Sequence, residues 1–145
     1  MKQIIFSISL LLVISISALS ANDKINFGDK AEQVFQKSFP AAECVKWTNE
    51  GDYRKVSFVL YGRGAQAFFS PEGDLLGTMR NIFYADLPIK VMMAIKKRFN
   101  NAVPFAITEI NRVDGTHYKF SVETTKHRHD ATVAQDGNFV KVTQR

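Results

Sequence analysis

Sliding the chain 64 positions along itself, without a gap, lays Phe35 on Phe99, Pro40 on Pro104, Gly51 on Gly115, Ala67 on Ala131 and Gly73 on Gly137. The same frame sets Phe39 on Val103, Phe58 on Val122 and Phe69 on Val133, and it puts Glu50 and Glu72 on Asp114 and Asp136. The matches fall on turn formers and apolar positions, the residues that decide a fold. Proline fixes φ and glycine opens conformations closed to other residues, so a proline pair and two glycine pairs in one frame argue for duplication over chance alternation. The halves are expected to be two pseudo-repeats, at about 24–84 and 85–145.

Each half reads as a helix followed by strands. In the first, Asp29 can cap a helix whose apolar stripe is Ala31, Val34, Phe35 and Ser38, at the spacing of one helical face, and Pro40 ends it. In the second, Asp86 or Pro88 opens a helix with a stripe of Met92, Ile95 and Phe99. Lys90, Lys96, Lys97 and Arg98 are left for its wetter sides. Strand runs are expected at 45–48, 53–60, 65–70 and 75–83, and again at 107–113, 117–124, 127–134 and 139–142. Tyr118, Phe120 and Val122 alternate with Lys119, Ser121 and Glu123, the pattern of an antiparallel strand with one buried face. The expected architecture is α+β: two α-β-β-β(-β) units forming one continuous antiparallel sheet with helices packed on one face.

Residues 1–20 carry a cationic start at Lys2, an apolar run from Ile4 to Ile16, and small residues at Ser17, Ala18 and Ser20. This is the order of a cleavable secretory signal peptide. The run is shorter than the ~20 apolar residues a bilayer span needs, so cleavage is expected rather than anchoring. No cysteine stands near the cut, which argues against a lipid anchor. The chain is therefore expected to work in the periplasm or outside the cell, as a single domain over 21–145. Net charge is +5, and subtracting Lys2 leaves +4 on that domain. Such a charge serves solubility and mildly favours acidic partners, whereas nucleic acid would need a denser basic stripe.

The order helix, Phe39-Pro40, a short strand with Val45 and Trp47, a strand with Tyr53, Val56 and Phe58, then Ala67-Phe68-Phe69 before Glu72-Gly73-Asp74, resembles the PepSY-like proteins related to the β-lactamase-inhibitor-protein fold. Leu87-Pro88, Tyr118 to Val122 and Asp136-Gly137 continue the likeness through the second half. The resemblance implies a small secreted or periplasmic bacterial protein and a fold best known for gripping another protein with its sheet. Its motifs are structural, so they imply no activity.

Trp47, Tyr53, Tyr61, Phe68, Phe83 and Tyr84 exceed what one small core calls for, and the first four are candidates for a binding patch. Phe68 and Phe69 cannot both face the same side of a strand. His127 and His129, at i and i+2, would share a strand face and could hold a metal ion or small ligand, against the plainer reading of a solvated hairpin end. Alternation puts Asp130 on the other face. Cys44 is the only cysteine, so no internal disulfide forms, and it reads as a small buried hydrophobe rather than a nucleophile. An enzyme would need Cys44 near a base such as His117, and no flanking motif supports that. No catalytic set and no cofactor motif stands out, and a non-enzymatic module that binds a protein or peptide is expected.

Overall fold

The computed structural model describes residues 29–145. Helix α1 (Lys30–Ser38) leads into strands β1 (Ala42–Glu50), β2 (Tyr53–Leu60), β3 (Arg63–Phe69) and β4 (Leu75–Asn81). A short 3-10 turn, Tyr84–Asp86, then precedes helix α2 (Ile89–Arg98) and strands β5 (Pro104–Arg112), β6 (Gly115–Glu123), β7 (Arg128–Ala134) and β8 (Phe139–Gln144). The strands form one antiparallel sheet in sequence order, with β1 and β8 outermost.

The α+β expectation with helices packed on one face needs correction. Strands hold 53% of the described residues and helices 19%, so the fold is predominantly one eight-stranded sheet. The reason is length. Helices of 9 and 10 residues rise about 15 Å and are about 10 Å wide, whereas eight strands at ~4.8 Å spacing span over 30 Å. They cannot form a layer over it. Instead there are two separate buried clusters. Ala31 and Phe35 of α1 join Val56, Phe58, Ala67 and Phe69 of β2 and β3. Val91 and Ile95 of α2 join Phe99, Tyr118, Phe120, Val122, Ala131 and Val133. Strand β4, between them, contributes no buried residue.

The helices form where expected and stop for local reasons. Glu32 in the first turn and Lys37 in the last suit the α1 dipole, and α2 ends on Lys96, Lys97 and Arg98. Asn100 and Asn101, both at positive φ, then turn the chain out of helix. The buried stripe of α2 is Val91, Ile95 and the following Phe99; Met92, expected in it, is only half-buried.

The single 64-position frame holds in the pairing of the last three strands of each half and fails for the helix and first strand. Phe35 corresponds in its helix to Ile95, 60 positions on, because each is the buried residue one turn before the end. In the pairing with β1 and β5 the offset is 62, Trp47–Val56 corresponding to Glu109–Tyr118. From β2 to β4 the pairing keeps 64: Phe58–Ala65 and Val56–Ala67 correspond to Val122–His129 and Phe120–Ala131, and Phe69–Leu75 to Val133–Phe139. A longer loop accounts for the drift from helix to first strand. Residues 39–41 face a counterpart of 99–103, two residues longer in the second half.

Bulges interrupt both outer strands. In β1 the register shifts between Glu43 and Lys46, leaving Cys44 and Val45 opposite Phe58. Cys44 sits at φ 52 and is exposed, so its expected burial is wrong: the bulge turns it out of the alternation. Ala106, also at φ 52, marks the matching bulge in β5. In β8 the step from Phe139 to Lys141 leaves Val140 extra and 61% exposed, and Leu76 plays that part in β4.

Candidate functional site

Strand register sorts every side chain onto one face or the other. The clustered face carries Trp47, Val56, Phe58, Ala67, Tyr118 and Phe120. The opposite, open face carries Lys55, Ser57, Gln66, Phe68, Gly77, Met79, Ile110 and Lys119. The buried residues of α1 and α2 all lie in the two clusters, away from the open face.

At the middle of that open face lies an apolar recess. Phe68, Leu76, Met79 and Ile110 line it, with Gly77 and Arg112 beside them, and its volume is about 330 Å³. Ile110, 9% exposed, is the one buried apolar residue among those described that belongs to neither cluster. Gly77 contributes by having no side chain: it pairs with Phe68 on one side and Arg112 on the other, leaving a gap between them. The bulge at Leu76 brings a further apolar side chain to the rim.

Charge surrounds the recess unevenly. Glu50 is taken by Lys55 at 2.5 Å. That hydrogen bond is the first cause holding the Lys55 pKa above its ordinary value. Asp130 accepts from Ser121 at 2.6 Å and pairs with Arg145 at 2.7 Å. Those contacts, the Ser121 hydroxyl first, hold its carboxyl below the usual range.

On the clustered face the uncovered middle is polar. Arg80 donates to both oxygens of Glu109, at 2.8 and 3.2 Å, Asn111 donates to Glu109 at 3.1 Å, and Thr116 donates to Asn111 at 2.7 Å. This chain of bonds crosses β4, β5 and β6 between the two apolar clusters. Glu109 is 8% exposed, and Arg80 is the cation that pairs with it. Tyr118 beside it has its hydroxyl pKa raised, chiefly by desolvation.

Of the four aromatic candidates, the structure brings two together. Tyr53 packs edge-on to Phe68 with ring centroids 5.7 Å apart. Trp47 faces the first cluster, 5.4 Å from Phe35 and 5.5 Å from Phe69, under the Arg54 guanidinium at 4.2 Å. Tyr61 is 84% exposed in the β2–β3 turn, away from the recess. Leu76, Met79 and Ile110 did not stand out in the sequence; an apolar residue on each of two strands gives no signal until the pairing of β4 with β5 is known.

His127 and His129 do stand together, with centroids 6.3 Å apart, although His127 precedes β7. His129 packs on Phe99 at 5.6 Å and lines a cleft of about 550 Å³ with Arg98, Asn100 and Thr124. Among the described residues no group of three His, Cys, Asp or Glu is placed to share a metal ion. Cys44 in β1 lies five strands from His117 in β6, some 24 Å at ~4.8 Å per strand, so the two cannot act together. The proposed leader at 1–20 lies outside the described residues. Among the described residues no helix is long and apolar enough to cross a membrane.

No family model and no curated protein matches the chain. Solved structures do. A BLIP-like protein from Bacteroides fragilis aligns over 81% of this chain and 85% of its own, with a TM-score of 0.70 and 20% identity. A protein described as periplasmic, from Bacteroides eggerthii, covers 81% and 88% at TM-score 0.70 and 16% identity. A DUF2874 family protein from Bacteroides uniformis covers 81% and 88% at TM-score 0.71 and 12% identity. At these identities the likeness establishes the fold: this chain has a BLIP-like fold.

Proposed function

We propose that this chain is an exported, non-enzymatic module that holds a protein or peptide on the open face of its sheet. The observation that carries the reading is the recess of Phe68, Leu76, Met79 and Ile110, an apolar hollow at the centre of the open face. Apolar surface left uncovered on a small domain costs solubility unless a partner covers it. The BLIP-like fold of its structural neighbours and the periplasmic description of one of them support the same reading. Kinship with PepSY-like proteins belongs to this proposal and rests on the order of sequence motifs alone. Tyr53 and Phe68 are the aromatic residues that enter the site.

Site-specific photo-crosslinking in the source cell's envelope tests it. A crosslinker placed at Phe68 or Ile110 should trap a protein that one placed at Val113, in the β5–β6 turn, does not. Equal or absent adducts at these positions reject the open face as the binding surface.

A second reading keeps a small ligand at His127 and His129. One observation favours it: the Nδ1 of His129 is buried without a hydrogen-bond partner, a costly state that a bound donor would relieve. Zinc titration followed by imidazole NMR decides it, since unmoved signals from both histidines remove the metal form of the reading.

A further inference from the structure

We infer that the partner of the open face is an acidic protein segment with an apolar residue at its tip. This rests on the open face being the binding surface and adds the chemistry that the face selects. The acids of this face are largely consumed by its own cations: Glu50 by Lys55, and Asp130 by Arg145 and more loosely by Arg128 at 4.0 Å. Glu123 stands opposite Arg128 in the register, and Glu43 stands opposite Val59 near the β2–β3 turn, both at the strand ends farthest from the recess. Asp52 and Asp114 lie in turns beyond the strands. What remains is positive. Lys46, Arg112, Lys119 and Lys141 are exposed on the face and have no acidic partner among the described residues.

Arg112 lines the recess itself, and Lys119 stands across Thr108 on the next strand. A cation beside an apolar hollow selects an apolar side chain flanked by carboxylates, since the same charge repels basic segments. A protein fits better than an anionic membrane. Interfacial membrane binding buries a broad apolar face, whereas here Ile110 is buried and only Leu76, 46% exposed, stands out at the rim of the recess.

The test uses the full chain and two peptides, one with four glutamates flanking a phenylalanine and one with four lysines in their place. Backbone amide shifts at Gly77 and Met79 report binding. The expected result is that the acidic peptide shifts both and binds at least tenfold tighter than the basic one. The preference should vanish between 50 mM and 500 mM salt and in the R112E/K119E variant. Both substitutions lie at exposed positions and leave the fold intact, and the salt titration gives the same answer without any substitution. Equal, salt-insensitive binding of both peptides overturns the acidic assignment while leaving the face as a binding surface. No shift with either peptide, or shifts only with phosphatidylglycerol vesicles, also overturns it. Whether the face binds a protein at all is then decided separately by the crosslinking adducts.

Discussion

Gly77 approaches Asn111 so closely across the β4–β5 junction that a Cβ at position 77 would stand 2.6 Å from the Asn111 carbonyl oxygen. Real Cβ atoms do not come this near to backbone oxygen, so the two strands pair at this point only because residue 77 has no side chain. The junction joins the two halves of the sheet through five residue pairs. Gly77→Ala should therefore destabilise by about 1–3 kcal/mol, the usual cost of overpacking. Gly64→Ala, where nothing lies within 4 Å of the new methyl and φ is not positive, should change stability little. Urea denaturation of both variants checks the contrast. Equal effects would mean that the close approach is not tight.

Glu109 is the acceptor that Arg80 and Asn111 share. Replacing it with Ala should cost about 1–2 kcal/mol, less than for a fully buried pair, because the Arg80 side chain is 53% exposed and water can take over its charge. Glu109→Gln should lose less, since one amide oxygen still accepts. Thermal denaturation of both variants at neutral pH gives the order.

Because the apolar residues fall into two separate clusters, core substitutions in different halves should not feel each other. Phe35→Ala, which removes a ring 5.0 Å from Phe58, should cost about 3–5 kcal/mol, and Ile95→Ala about 2–5 kcal/mol. In the double variant the losses should add to within about 0.5 kcal/mol. A larger coupling, measured by a double-mutant cycle, would show that the clusters communicate through β4.

Three aspartates make the fold sensitive to acid. Asp86 has its pKa lowered first by the Phe83 backbone N–H and then by Arg63, Asp130 first by Ser121, and Asp136 first by the Asn138 backbone N–H. A carboxyl whose pKa is lower folded than unfolded stabilises the fold above the unfolded value, near 3.9, and loses that contribution as pH falls through the folded value. Stability should be flat from pH 7 to about 5 and decline below about pH 4. Asp86→Asn combined with Asp136→Asn should flatten the decline, as read by denaturant midpoints between pH 3 and 7.

The strands were legible because their apolar residues alternate: Val56 and Phe58, Tyr118 and Phe120, and Val133 all face the clustered side as the pattern predicts. Helix coverage was not legible, because periodicity reveals an apolar stripe but not how little of a wide sheet nine or ten residues can shield. The rigid 64-position frame failed for Phe35 in part because a loop lengthened without disturbing the pattern around it. Cys44 was misread for a similar reason: a bulge breaks alternation at one residue, and nothing in Glu43-Cys44-Val45 announces a positive φ. At the candidate site Phe68 was legible as a surplus aromatic residue, whereas Met79 and Ile110 became part of a site only through cross-strand pairing. Trp47 was misjudged because an aromatic on a strand shows no sign of which face it takes.

The bulges at Cys44 and Val140 both fall on the outermost strands, where, among the described residues, the backbone has no neighbour on one side. Another copy trying to extend the sheet would find donors and acceptors out of step at either margin. Bulged outer strands of this kind work against edge-to-edge growth of a sheet from molecule to molecule.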